Sequence, residues 1–285
     1  MITPQRLSPV EGIHDTILIK PAGSPFRLDL GSLRHSWDLL YFLVWRDIKV
    51  RYKQTAIGAG WAVIQPLLTM ALFTAVFSGL AKIPSDGLPY PIFAYAGLLP
   101  WSYFSFALGR SGNSLVNNSN LITKVYFPRL IIPLSAVVSP LVDFFVAFVL
   151  LIGMMVWYRI APGWGVLALP LLVVLASVTA LSVALWLSAL CVRYRDVGVV
   201  IPFLIQLWMY ASPVAYPLSL VPERWRLLYS LNPMVGVVEG FRWALLGTAA
   251  PDFTMMAVSV ASVAIVLYGG LVYFKSMERV FADVV

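Results

Sequence analysis

Charge is what this chain has least of. Of its 285 residues, 12% are Asp, Glu, Lys or Arg and 60% are hydrophobic; mean hydropathy is +0.84, whereas soluble domains carry about 25% charged residues. A soluble globular fold is excluded, and the chain reads as an integral membrane protein. Cysteine is nearly absent: Cys191 stands alone, so no internal disulfide forms. His14 and His35 are the only histidines, too few and too isolated for a metal site. No GxxxxGK[ST], HExxH or GxSxG pattern occurs, so the chain has no P-loop with which to hydrolyse ATP itself. The 13 acidic residues are scattered, without the convergence that a membrane enzyme acting on lipid-linked sugars needs. No helix carries the repeated polar ring of an ion channel. The net charge of +7 does not imply nucleic acid, because Lys and Arg in a membrane protein mark cytoplasmic loops. No secretory signal pattern is seen, since the first apolar run begins only near Ile57.

What is present is a succession of apolar runs. A helix needs about 20 apolar residues to cross about 30 Å of hydrocarbon, and in lipid each such segment must satisfy its own backbone. Six segments qualify: about 61–81, 91–109 (containing Pro100), 131–158, 166–192, a short one at 199–216, and 253–274. With both termini in the cytoplasm, only Lys82, Arg159, Arg224, Arg226 and Arg242 of the 20 Lys and Arg fall outside, as the positive-inside rule requires. Residues 1–35 are polar and proline-bearing and read as a cytoplasmic tail, with a short strand allowed by the alternation in DTILIK. In SWDLLYFLVWRDIKVRYKQT, Ser36 is a helix cap with Asp38 in the first turn. Trp37, Leu40, Tyr41, Val44, Ile48 and Tyr52 recur at spacings of three and four. This pattern predicts an amphipathic helix in the cytoplasmic interface. Residues 36–280 form one transmembrane domain, and 281–285 a second short cytoplasmic tail.

Three polar features interrupt the apolar pattern. NLITKVYFPRLIIPL (120–134) places Lys124, Pro128 and Arg129 between spans two and three. Asp143 stands about 18 Å into span three at 1.5 Å per residue, where a charge costs about 3 kcal/mol or more; it is either a pore-lining residue or a structural hydrogen-bond anchor. Between spans five and six, Pro222 and Pro233 open two short helices, the second capped by Asn232 and carrying Glu239 and Arg242. At about 15 residues it is too short to span comfortably. It is expected to re-enter the membrane, with a surface hairpin as the alternative. No internal repeat is found. Six spans without a second half favour a path built between two copies.

The order of motifs resembles one family. A basic amphipathic helix is followed by GLLPWSYFS (97–105), LITKVYFPRLIIP (121–133), VRYRDVG (192–198), SPVAYP (212–217), LNPM (231–234) and Arg242. Over residues 36 to 280 this is similar to the membrane subunit of ABC-2-type polysaccharide exporters, which handle O-antigen, teichoic acid or capsule. The resemblance implies a homodimer with two copies of a separate ATPase, which binds ATP and Mg2+; this chain would hold no cofactor. It implies a polyprenyl-diphosphate-linked polysaccharide as substrate and the bacterial inner membrane as location. In such a protein Leu121, Ile122, Lys124, Val125, Tyr126, Phe127, Pro128 and Arg129 would form the ATPase-coupling loop; otherwise they merely pin spans two and three. Arg46, Lys49, Arg51, Lys53, Arg193 and Arg195 are candidate contacts for the diphosphate or for lipid head groups, although Arg193 and Arg195 equally suit a topology-setting helix end. Asp143, Trp101, Tyr103, Phe104, Trp208 and Tyr210 are candidates for the pore or glycan, with interfacial belting and packing as the other reading of the aromatics. Glu239 and Arg242 are expected at an outer gate.

Overall fold

A computed structural model describes residues 36–53, 60–278 and 281. The predicted N-terminal tail and its short strand, and all of the C-terminal tail but Phe281, lie outside the described residues. Among those described, every regular element is helical. Helix α1 (Trp37–Tyr52) precedes α2 (Trp61–Phe73), which continues as a π-helical turn over Thr74–Leu80. Next come α3 (Tyr90–Gly112), the short α4 (Ser114–Asn117) and α5 (Ser119–Lys124), and α6 (Ile131–Val138) with α7 (Leu141–Trp157). A 3-10 turn at Trp164–Ala168 leads into α8 (Leu169–Arg193). The chain closes with α9 (Asp196–Tyr210), α10 (Glu223–Tyr229), α11 (Pro233–Leu246) and α12 (Phe253–Met277).

Among the described residues, five segments are long and apolar enough to cross a membrane: Trp61–Leu80, Tyr90–Gly112, Ile131–Trp157, Trp164–Arg193 and Phe253–Met277. Their limits lie within a few residues of those expected. The remaining expected span is α9, apolar but only 15 residues long. It starts at Asp196, inside the VRYRDVG motif, and stops before SPVAYP.

Span two is the axle of the fold, with both Pro100 and its flanks buried inside a continuous helix. Inside a bilayer, apolar surface gains nothing by leaving lipid for protein, so packing and interhelical hydrogen bonds hold helices together. Span two supplies two such bonds from tyrosine hydroxyls, Tyr95 to the Ala147 carbonyl and Tyr103 to that of Val137, each at 3.1 Å, and Tyr90 donates to the Ala215 carbonyl in the SPVAYP turn at 2.7 Å. Spans four and six meet through Trp186, whose indole donates to the Val266 carbonyl at 3.0 Å and stacks on Tyr273.

Helix α11 is buried at every position except Glu239 and Trp243. A helix apolar on all sides belongs inside a bundle, and α11 packs against spans two, four and six. Its limits follow from its sequence. The Asn232 side chain accepts from the Met234 N–H at 3.1 Å with Pro233 at the first position, and Gly247 ends it with φ 67°, a left-handed conformation glycine adopts without penalty.

A second apolar cluster lies apart from this core. Leu40 and Leu43 of α1 join Leu115, Ile122, Phe127, Ile131 and Ile132, together with Phe274 and Met277 at the end of span six and Phe281 beyond it. Only part of the expected stripe of α1 is buried there, since Trp37 and Tyr41 remain exposed.

Candidate functional site

The segment linking spans two and three is a compact knuckle. Helix α5 ends in an extended Val125, and α6 begins beyond Pro128; the proline restricts Phe127 before it to extended backbone, so no helix runs through the knuckle. The eight expected loop residues divide into two sets. Phe127 and Ile122, 8% and 6% exposed, are built into the second cluster, and Leu121 packs against it. Arg129 turns back to donate to the Glu278 carbonyl at the end of span six. Tyr126 at 75% exposure, Val125 at 50% and Lys124 point away from the protein. The outward surface is therefore an aromatic and a branched aliphatic residue beside a cation, the composition of a small contact patch.

The basic residues on α1 are largely engaged within the chain. Arg46 pairs with Asp47 at 3.0 Å, Asp47 also faces Arg110 at 3.5 Å, and Lys49 lies over the Trp45 ring at 5.2 Å. Arg51 pairs with the Asp143 carboxylate, to which the Tyr52 hydroxyl also donates. Burial, reinforced by the nearby Arg110 guanidinium and opposed by Asp47, lowers Arg51 to about 10, so its guanidinium stays charged at neutral pH. Of the two readings of Asp143, this geometry is that of the anchor: a buried carboxylate compensated by a cation and a hydroxyl. Of the six candidate cations, Lys49, Lys53, Arg193 and Arg195 are exposed; Arg193 stacks on Tyr194 at 5.3 Å, and among the described residues Asp196 forms no ion pair with either arginine.

The aromatic candidates are divided as well. Trp101, Tyr103 and Phe104 are core residues. The Trp208 indole donates to the Asn232 side chain at 2.9 Å, while Tyr210 is exposed.

Arg242 is the largest fully buried side chain. Its guanidinium donates to the carbonyls of Pro213 at 2.6 Å and Val214 at 2.7 Å, pairs with Glu239 at 3.0 Å and lies 3.7 Å from the Phe93 ring centroid. A Cβ on Gly97 would sit 2.7 Å from its Nη2. Arg242 thus fastens α11 to the SPVAYP turn and to span two. Sequence reasoning missed this bracing role, although SPVAYP and Arg242 were both marked as motifs.

Sequence reasoning also missed Gln65 and Gln206. Both are exposed, on α2 and α9, and neither amide makes a hydrogen bond among the described residues. They lie on the open faces of span one and the short fifth helix. Away from their terminal turns, the exposed positions of spans three, four and six are apolar or aromatic. The signal was readable as a glutamine at a helix position facing away from span two.

Among the described residues, a bundle of five helices long enough to cross a membrane, with α11 buried among them, is the architecture of a polytopic membrane protein. The ABC-2 type transporter family model matches residues 38–246, and the chain belongs to that family. Among curated proteins it is 31% identical over 250 residues to the O-antigen export system permease protein RfbA of Myxococcus xanthus, covering 86% of this chain and 94% of that protein. It is 26% identical over 257 residues to the protein of that name from Klebsiella pneumoniae, covering 89% and 97%. It is also 23% identical over 246 residues to the polysialic acid transport protein KpsM of Escherichia coli, covering 82% and 91%.

Proposed function

We propose that this chain is the transmembrane subunit of an ABC transporter exporting a polyprenyl-diphosphate-linked, O-antigen-like polysaccharide across the bacterial cytoplasmic membrane. Two copies form the path and two copies of a separate ATPase, binding ATP and Mg2+, drive it. Family membership and the likeness to O-antigen export permeases support the class of cargo. The 23% likeness to a polysialic acid transport protein keeps a capsular polysaccharide as the second reading.

The observation that carries the dimeric path is the placement of Gln65 and Gln206. An amide facing lipid without a partner costs free energy, so the faces of α2 and α9 meet protein or water, whereas the apolar faces of spans three, four and six meet lipid. Isologous pairing of two copies through spans one and five encloses those amides, where they serve as hydrogen-bonding groups for sugar hydroxyls. In this arrangement α9 is the fifth of six spans and both termini are cytoplasmic. Helix α11 and α10 re-enter from the outer side, with Glu239 at the rim of the outer gate and Arg242 as its fixed post. Val125, Tyr126 and Lys124 dock on the ATPase while Phe127 and Arg129 hold the knuckle rigid. Lys49, Lys53, Arg193 and Arg195 remain for the diphosphate or for anionic head groups.

The test is co-purification with a cognate ABC ATPase subunit and thiol labelling in a Cys191→Ser background. Val125→Asp with Tyr126→Asp is expected to release the ATPase from a folded dimer. A cysteine replacing Gln206 is expected to react with a membrane-impermeant thiol reagent, and one replacing Val260 on span six to stay unreactive. Equal reactivity at both positions, with the ATPase still bound to the double aspartate variant, sinks the proposal.

A further inference from the structure

The flank of α9 turned away from Gln206 carries a feature that the transport reading does not use. Two cavities of about 430 Å³ and 570 Å³ lie along it and share Val183, Trp208 and Ala211 as walls. Together they form one furrow. One end is walled by Leu187 and Ile201, the other by Trp225 of α10. Ile201 to Ala211 is ten residues, so the furrow runs about 15 Å along the helix at 1.5 Å per residue. Its polar wall groups are already satisfied. The Trp208 indole is bonded to Asn232, and the Asn232 amide donates to the Ala211 carbonyl and the Ser212 hydroxyl, each at 2.9 Å. Nothing is left to recognise a polar ligand along the trough, and its chemistry suits a hydrocarbon chain.

The end at α10 adds a charge. Arg224 is exposed, 5.8 Å over the ring of Trp225, and has no ion pair among the described residues; the adjacent Glu223 faces Arg226 at 3.9 Å instead. A cation stacked on the aromatic lip of an apolar trough matches an anionic head group above a buried chain. Trp208 is two residues beyond Gln206, about 200° round the helix. A molecule in the furrow therefore lies on the far side of α9 from the polar face. That separates it from a cargo path and identifies it as a resident of the bilayer.

We propose that this furrow is a binding site for an anionic membrane phospholipid, one acyl chain lying along Val183, Trp208 and Ala211 and the phosphate meeting Arg224. The lipid fills the space between α8, α9 and α10 and braces the short helix α9 against α10. This assignment does not depend on which polysaccharide is carried.

Native mass spectrometry of the full-length protein released from nanodiscs of mixed phosphatidylglycerol and phosphatidylethanolamine tests it. The wild type is expected to retain one phosphatidylglycerol per chain. Ala211→Trp, which fills the shared wall, is expected to retain none, and Arg224→Gln to lower the preference for phosphatidylglycerol at least threefold. An independent readout needs no groove-filling variant. Phosphatidylglycerol brominated on its acyl chains is expected to quench more fluorescence in wild type than in Trp225→Phe, the difference falling when unlabelled phosphatidylglycerol is added. Equal retention in wild type and Ala211→Trp, no preference for the anionic lipid, or quenching unaffected by Trp225 overturns the proposal, as does retention of an isoprenoid diphosphate in place of phospholipid.

Discussion

Replacing Arg242 by Met is the sharpest perturbation the structure offers. Met keeps much of the volume and removes the charge. Three losses follow. The carbonyls of Pro213 and Val214 lose short charge-assisted bonds, each orphaned acceptor costing about 1–3 kcal/mol. Glu239, mostly buried, keeps its carboxylate without its cation. The contact with the Phe93 ring at 3.7 Å also disappears. Removing one member of a buried pair typically costs about 3–5 kcal/mol, and neighbouring losses do not simply add, so we expect a destabilisation of about 3–5 kcal/mol. Because the penalty is largely that of an uncompensated Glu239, Glu239→Gln in the same chain is expected to restore at least about 1 kcal/mol. The assay is a double-mutant cycle of unfolding in detergent, followed by the near-ultraviolet signal of the buried aromatic residues. If Arg242→Met unfolds within about 1 kcal/mol of wild type, and Glu239→Gln changes nothing, then Arg242 is not a brace, and the geometry around SPVAYP has been misread.

Other expectations concern neighbouring sites. Gly97→Ala places a methyl 2.7 Å from the Arg242 Nη2 and 3.0 Å from the Val214 carbonyl. Its overpacking is expected to cost about 1–3 kcal/mol, readable as a lower detergent melting temperature. Phe127→Asp puts a carboxylate into the second cluster and is expected to lose folded protein in size-exclusion profiles, whereas Tyr126→Asp keeps the profile and weakens ATPase co-purification. Asp143→Asn leaves Arg51 without its counter-charge, and Arg51→Met in addition is expected to recover stability in thermal unfolding; an additive pair of losses argues against their pairing. Asp252 caps α12 through the N–H groups of Thr254 and Met255, which hold its carboxyl below the usual range. Its contribution is present above the ordinary carboxyl value and fades as pH falls through the lowered one, so Asp252→Asn is expected to flatten the acid limb of the unfolding profile.

Most of the scaffold was legible because the bilayer imposes a length rule that composition obeys. The five long spans and the helix opened by Asn232 and Pro233 were written locally. The expected fifth span was to run to Tyr216, but α9 ends at Tyr210, and SPVAYP forms a turn held by Arg242, 26 positions beyond its tyrosine. Such long-range ties leave no periodic trace. The division of the knuckle into buried Phe127 and exposed Tyr126 was equally illegible, since adjacent aromatics look alike until α1 and the end of span six close over one of them. The pairing of Arg51 with Asp143 joins residues 92 positions apart in sequence and depends on how α1 lies against the bundle.

The break in span three at Ser139 and Pro140 has a mechanical meaning. Below it, Ile131 and Ile132 belong to the cluster that contains Phe127; above it, Phe144, Ala147 and Leu151 belong to the main core. Val137, just below the break, already belongs to the main core, so span three passes from one cluster into the other. Span four does the same without a break, with Leu185, Ala189 and Val192 in the lower cluster and Ala176, Ala180 and Ala184 in the main core. Under the proposed docking of Tyr126 on the ATPase, a push at the knuckle would meet a jointed strut in span three, a stiff one in span four and a side tie at Arg51–Asp143, and unequal struts turn a push into a tilt.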